Sequence, residues 1–271
     1  MNYAKDIKAV VFDFDGTLID FDYNATDYTR KALELLKNSD YKVCLSSGRP
    51  CFLAKKAFEN TFGDYPLDYI FGCNGSEMTD CHTGVNEILF PLKAQDVVKI
   101  AELMQNDYLT LGIYDGSKFL VNGECNSTDK IAWMKARWLE PHLYDFSKNV
   151  EERTKVIVLN DKADREKEDE FIKSIDLSDY SAFYSSPMCF EIVPKGVNKA
   201  KSIDRLAEIL KCDNSQILSF GDMENDLPML LNSTGVAMGN AKDEIKAQVK
   251  LHTSAVDEMG VYQFLYENGL I

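Results

Sequence analysis

The sequence predicts an α/β protein: a doubly wound, Rossmann-like parallel sheet with an α+β module inserted into it. Three observations predict it. Short apolar runs alternate with amphipathic helical patterns from the start of the chain, hairpin signals replace that alternation from about residue 83, and the alternation returns after Pro194. Strand and helix in alternation imply right-handed crossovers and a sheet covered on both faces. Residues 1–82 and 189–271 are therefore expected to form one core domain around an insertion at 83–188.

Each element has its own signal. "AVVFDF", from Ala9, is a continuous apolar run and reads as a buried strand. "TDYTRKALELLKN" puts Ala32, Leu33, Leu35 and Leu36 on one side of a helix. "YKVCLSS" is a second strand, and "PCFLAKKAFENTF" a helix with Pro50 in its first turn. "LDYIF" is a third strand that stops at "CNGSE". In the insertion, "YLTLGIYDGSKFLVNG" is a hairpin with an Asp-Gly turn at 115–116, flanked by helices near 93–106 and 127–139. "TKVIVLN" is a strand, "DKADREKEDEFIKSID" a solvated helix, and "SAFYSSPMCFEIVP" two strands. The last section reads helix (198–211), strand "QILSF", helix (225–232), strand "GVAM", then helices at 241–249 and 257–267.

Composition limits the function. The 271 residues are 45% hydrophobic and 27% charged, an ordinary globular balance. A net charge of −14 argues against a nucleic-acid partner, which needs a basic face, but leaves room for a small pocket that holds one phosphate. No window reaches ~18 unbroken apolar residues, so no membrane partner is expected. The seven cysteines form no CxxC pair and are odd in number, which suggests reduced thiols in the cytoplasm. Only three histidines are present, and no Gly-x-Ser-x-Gly, so a Ser-His-Asp hydrolase is not indicated.

Four segments lie where strands end or helices begin, the places where an open α/β sheet gathers its site. They are Asp13-Phe14-Asp15-Gly16-Thr17, "LSSGRP" with Ser47 and Gly48, "VPKGVNKAKSI" with Lys199, and "SFGDMENDLPML" with Asp222, Asn225 and Asp226. Singly, each has an ordinary structural explanation as a turn, a loop or a helix cap. The first raises a physical problem, because residues i and i+2 of a strand share a face. Asp13 and Asp15 would then crowd two like charges, which requires a cation between them or a proton on one, unless the strand ends before them.

In this order the four segments resemble the haloacid dehalogenase superfamily, and "SSGRP", "VPKGVNK", "GDMENDLPML" and "GVAMGNA" are similar to its Cof-type phosphatases of subclass IIB. The 30 positions from Thr17 to Ser47 leave no room for an inserted domain, whereas the 150 from Arg49 to Lys199 hold one. The resemblance makes 83–188 a C2-type cap, which would choose among substrates. It implies a phosphatase of small phosphomonoesters, sugar phosphates or other phosphorylated metabolites. Asp13 would be the nucleophile that forms an aspartyl-phosphate, and Asp15 the general acid and then base. Mg²⁺ would be held by Asp13, the Asp15 carbonyl and Asp222. Ser47, the Gly48 amide, Lys199 and Asn225 would grip the phosphoryl oxygens, with Asp226 orienting Lys199 or a metal-bound water. Lys195 is a rival for the lysine role. Asn74 is either a substrate contact or a turn former, and Trp133 and Trp138 fit core packing better than sugar stacking. A phosphosugar mutase and a non-catalytic phosphometabolite-binding protein use the same scaffold and remain alternatives. The oligomeric state is not legible.

Overall fold

The computed structural model describes residues 6–20, 22–125, 127–148, 151–161 and 164–271. In chain order the first elements are β1 (Ala9–Phe12), α1 (Asp27–Lys37), β2 (Lys42–Ser46), α2 (Cys51–Phe62), β3 (Tyr69–Gly72), β4 (Glu77–Asp80) and β5 (Asn86–Ile88). Then come α3 (Ala94–Leu103), β6 (Thr110–Asp115), β7 (Lys118–Val121), α4 (Thr128–Lys135), β8 (Pro141–Leu143), β9 (Val156–Leu159), α5 (Arg165–Lys173), β10 (Tyr180–Ser186) and β11 (Cys189–Pro194). The chain ends with α6 (Ala200–Leu210), β12 (Ile217–Gly221), α7 (Leu227–Leu231), β13 (Thr234–Ala237), α8 (Asp243–Lys246), β14 (Leu251–His252) and α9 (Gly260–Glu267). Two compact units result: Met1–Glu87 with Asn198–Ile271, and Ile88–Val197.

The first unit is built on one sheet in the order β14-β13-β12-β1-β2-β3-β4-β5. The strands from β14 to β3 run parallel, and β4 turns back antiparallel on β3. This is the doubly wound sheet that the alternation predicts. Its central strand is buried throughout, which explains why β1 reads as an unbroken apolar run rather than an alternating one. Phe12, Phe14, Leu33, Leu45, Phe58, Phe220 and Phe264 belong to the core. Thr26 starts α1 by accepting the Thr29 N–H through its hydroxyl at 3.1 Å. Pro50 sits one position ahead of α2, as its cap, where its missing N–H costs nothing.

The second unit has a six-stranded sheet in the order β10-β11-β9-β6-β7-β8, antiparallel except for the parallel β7–β8 pair. Val97 and Ile100 of α3 pack with Leu111, Ile113, Val156, Val158 and Ile192 of the sheet. The β6–β7 hairpin closes on Asp115 and Lys118, so its turn residues are Gly116 and Ser117, one position later than expected. Gly116 takes the left-handed φ of 56° that such a turn requires.

Both unit boundaries fall later than 82/83 and 188/189. The β4–β5 hairpin continues the first sheet to its edge before the chain leaves. β11 pairs with β9 and β10, so the chain returns only after Pro194. The charged helix α5 is not wholly solvated: Glu168 is fully buried, and Phe171 and Ile172 pack on the core. Residues 162 and 163, also expected in that helix, lie outside the described residues.

Candidate active site

The strand order reverses at β1: the chain runs outward through β2 and β3 on one side and through β12, β13 and β14 on the other. Such a switch point opens a crevice at the carboxyl ends of the strands. Phe12 lies opposite Phe220, and the Asp13 N–H donates to the Phe220 carbonyl at 3.0 Å. Two segments distant in sequence thus end side by side, one on Asp13 and the other on Gly221 and Asp222.

Lys199, at the entrance to α6, lies at their centre. Its Nζ is 2.5 Å from Asp13 Oδ1 and 2.5 Å from Asp226 Oδ1, and its side chain is 1% exposed. Asp226, at the start of α7, uses its other oxygen to accept the N–H groups of Asp222 at 3.0 Å and Met223 at 2.9 Å. Gly221 is required here, since a Cβ would stand 2.5 Å from that of Asp226. Asp13, Asp222 and Asp226 each bring a carboxylate oxygen within 4.8 Å of the others.

Three buried carboxylates share one ammonium. Burial, followed by the Asp226 charge, raises the Asp13 pKa well above the carboxylate range, against the pull of Lys199. Burial, Asp226 and Asp15 push Asp222 up to about 7, with Lys199 and Asn240 opposing. For Lys199 itself, burial disfavours the charged form, but Asp13 and Asp226 outweigh it and raise its pKa. The cluster is short of positive charge.

That shortage is the test for a metal ion. Asp222 Oδ1 is buried and has no hydrogen-bond partner among the described residues, an arrangement a cation would relieve. Asp226 has both oxygens engaged, which leaves Asp13 and Asp222 as the open donors. Hard carboxylate oxygens of this kind suit Mg²⁺, which takes one or two from a protein and keeps several waters. The residues fit the ion. The Asp15 side chain is not in the group.

The two N-terminal aspartates do not share a strand, although the Asp15 charge still adds to the rise of the Asp13 pKa. β1 ends at Phe12, and Asp15 sits in an isolated bridge with Ile19. The Asp15 carboxylate is gripped from the side by Arg49, Nη2 to Oδ1 at 2.7 Å and Nε to Oδ2 at 3.0 Å. Arg49 also donates to the Tyr23 hydroxyl at 3.2 Å.

On the other side of the crevice, Ser47 follows β2 and its N–H donates to the Phe71 carbonyl at 2.9 Å. Its hydroxyl accepts the Arg49 N–H at 3.1 Å. Asn74 is both a turn residue and an inward-pointing side chain. Its φ of 57°, between those of Cys73 and Gly75 at 49° and 90°, makes the bend. Its buried Oδ1 accepts from Asn225 Nδ2 at 3.3 Å. A Cβ on Gly48 would stand 3.5 Å from Asn74 Oδ1 and 3.9 Å from Asn225 Nδ2, so Ser47, Gly48, Asn74 and Asn225 form one neighbourhood.

Lys195 is elsewhere: it lies in the inserted unit, with Nζ 3.4 Å from the Tyr180 carbonyl. Trp133 is 9% exposed and belongs to the core of that unit, whereas Trp138 is 43% exposed. The sequence reading assigned no role to Arg49 or Asn240. Both stand inside quoted motifs, "SSGRP" and "GVAMGNA", and that position is the signal that could have found them.

Known proteins resemble this one along nearly its whole length. A family model described as haloacid dehalogenase-like hydrolase matches residues 10–265. The 5-amino-6-(5-phospho-D-ribitylamino)uracil phosphatase YitU of Bacillus subtilis (strain 168) is 25% identical over 263 residues, covering 95% of this chain and 96% of its own. A haloacid dehalogenase-like hydrolase from Bacteroides thetaiotaomicron superposes with a TM-score of 0.82 at 23% identity, over 96% of this chain and 99% of its own. The subclass IIB sugar phosphatase BT4131 superposes with a TM-score of 0.77 at 23% identity, over 97% and 100%.

Proposed function

The chain belongs to the haloacid dehalogenase-like hydrolases, and from that membership we propose that it is a Mg²⁺-dependent phosphatase of small phosphomonoesters. The observation that carries the reading is the sharing of Lys199 between Asp13 and Asp226, 2.5 Å from each, beside an Asp222 oxygen with no partner.

In this reading Asp13 is the nucleophile. One of its oxygens bonds to phosphorus while the bond from phosphorus to the ester oxygen breaks, leaving an aspartyl-phosphate. Asp15 delivers a proton to the departing alkoxide. It then takes one from the water that attacks the acyl phosphate, and inorganic phosphate leaves with Asp13 restored. Arg49 donates to both Asp15 oxygens in the resting geometry and so fixes the direction of the carboxylate, each oxygen keeping a second lone pair for the proton. Lys199, the Ser47 hydroxyl, the Gly48 amide and Asn225 hold the non-bridging oxygens, and Asp226 fixes the direction of Lys199. Asn74 holds the Asn225 amide in place. Asp13, the Asp15 carbonyl and Asp222 would hold Mg²⁺, which when bound would keep Asp13 anionic and neutralise phosphoryl charge.

All of these groups address the phosphoryl part, which every phosphomonoester shares. Selection among leaving groups therefore falls to the inserted unit, in the manner of a cap. The natural setting of this chemistry is the cytoplasm, where phosphorylated metabolites are found.

The test is phosphate release from a panel of sugar phosphates and phosphorylated cofactor precursors, run with Mg²⁺, with Ca²⁺ and after chelation. Release should need Mg²⁺ and be poor with Ca²⁺, whose larger and looser shell misaligns in-line attack. Full turnover in verified metal-free protein would remove the ion from the mechanism. Isomerised phosphosugar without free phosphate would make the protein a mutase.

A further inference from the structure

Asn240 follows β13 in the "MGNA" segment and touches three separate parts of the catalytic unit. Its Oδ1 accepts the Val256 N–H at 3.0 Å. That bond settles which way the amide faces, because only the oxygen can accept from a backbone N–H. The Nδ2 group then has to point the other way, and there it donates to the Gly16 carbonyl at 2.9 Å and to Asp222 Oδ2 at 3.1 Å. One donor and one acceptor face of the amide are thus committed to the backbone. The remaining N–H is aimed at a carboxylate whose other oxygen, Oδ1, is buried and unpartnered.

Gly16 makes the arrangement possible. It has a left-handed φ of 88°, and a Cβ on it would lie 2.3 Å from Asp222 Oδ2. The Asp13–Thr17 turn therefore packs directly on the face of the Asp222 carboxylate, while Asn240 holds its edge. Gly239 anchors the other end: its N–H donates to the Ser254 carbonyl at 3.0 Å, and a Cβ there would meet Ala255 N at 2.5 Å.

We propose that Asn240 is a positioning residue for the metal site: by taking Asp222 Oδ2 it turns Oδ1 toward the ion. The inference rests on the phosphatase reading above. Outer partners of this kind fix the orientation of a ligand carboxylate, and their loss typically weakens metal binding about 10- to 100-fold. A purely structural Asn240, tying the 254–256 segment to the Gly16 turn, would leave the affinity for the ion unchanged.

The experiment is calorimetric titration of Mg²⁺ into the metal-free full-length protein, with no substrate present, alongside a thermal melt of each metal-free variant. Asn240→Ala and Asn240→Ser are compared with Thr253→Ala, which loosens the same segment by removing the Thr253 hydroxyl's bond to the Gly260 carbonyl at 2.6 Å and does not touch Asp222. Both Asn240 variants should bind Mg²⁺ about 10- to 100-fold more weakly than wild type, with Thr253→Ala within about twofold of it. A folded Asn240 variant with wild-type affinity overturns the inference. So does equal weakening in Thr253→Ala, or failure of both Asn240 variants to fold while Thr253→Ala folds, since each assigns Asn240 to the scaffold alone. Wild-type protein that takes up no Mg²⁺ overturns the metal reading and this inference with it, and the same titration tells that case from the others.

Discussion

Both units bury a lysine against carboxylates, and they do it in opposite ways. In the inserted unit Lys155 meets Glu191 at 2.9 Å, with side chains 2% and 6% exposed, beside the Tyr114 ring. In the catalytic unit Lys199 serves Asp13 and Asp226 at once, and Asp222 stands beside them with an unpartnered oxygen. The balanced pair matches one buried cation with one buried anion. The unbalanced cluster holds Asp13 and Asp222 above the normal carboxylate pKa range and is relieved by protons or a cation. A buried charge is thus a sign of function when the signs do not cancel, and of structure when they do.

The comparison breaks first at Asp13. Asp13→Asn keeps the shape and removes one of the mutually repelling charges, so the fold should survive while phosphate release falls by roughly four orders of magnitude or more. Circular dichroism and a release assay on the same sample check both halves. Purified variant with a tenth of wild-type turnover would end the covalent mechanism.

The balanced pair should respond in stability and not in the chemistry of the site. Lys155→Met alone leaves Glu191 buried without its partner and should cost about 3–5 kcal/mol in denaturant unfolding, whereas Lys155→Met with Glu191→Leu should lie close to wild type. Equal losses in the single and double variants would show that the two charges do not balance one another.

The lysines sharpen the contrast further. Lys199→Ala should lower kcat by about 10²- to 10³-fold through lost phosphoryl stabilisation. Lys195→Ala removes only a side chain 3.4 Å from the Tyr180 carbonyl and should leave kcat nearly intact. The reverse order in matched kinetics would put the phosphate-binding lysine in the wrong place.

The catalytic unit was far more legible in the sequence than the inserted one, and for a physical reason. Its parallel strands are buried on both faces and appear as solid apolar runs, and its working residues follow strand ends or, for Lys199, open a helix. Asp13, Ser47, Lys199 and Asp222 therefore occur in short local motifs. Edge strands lack that signal: β5 is exposed at all three residues, and β14 is two residues long. The sequence likewise hid the Lys155–Glu191 pair, whose members lie on separate elements with only cross-strand neighbours to join them. Asn240 and Arg49 stood in recognised motifs, yet their bonds to Asp222 and Asp15 depend on loop geometry that no spacing encodes. Of the three ways out of the Asp13–Asp15 conflict, the sequence could not choose the one the fold takes, because nothing in it marks that the strand stops at Phe12.

The smallest effect concerns an acid of the inserted unit that sits between the two extremes. Glu168 is fully buried on α5, where it accepts from Asn160 Nδ2, and its Oε1 and the Asn160 Oδ1 are both buried without partners among the described residues. Burial pushes its pKa from 4.5 to about 7, with Asp169 adding to the rise and Tyr184, Arg165 and Asn160 opposing it. A proton on Glu168 supplies the one donor that this orphaned pair of oxygens lacks. The folded state therefore holds that proton more tightly than the unfolded chain. The resulting stability is fully present below the unfolded pKa near 4.5 and is lost as pH rises through the folded value near 7. Its ceiling is about 3 kcal/mol. Asp222 titrates in the same direction, but saturating Mg²⁺ should remove its share, which leaves Glu168 as the group to isolate. With Mg²⁺ present, wild-type unfolding free energy should fall between pH 5 and pH 8 relative to Glu168→Gln, whose amide is neutral throughout and can donate to Asn160. Parallel curves for the two proteins across that range would mean that Glu168 is charged in the folded state. The inserted unit would then contain an unbalanced charge of its own, and imbalance would no longer single out the catalytic site.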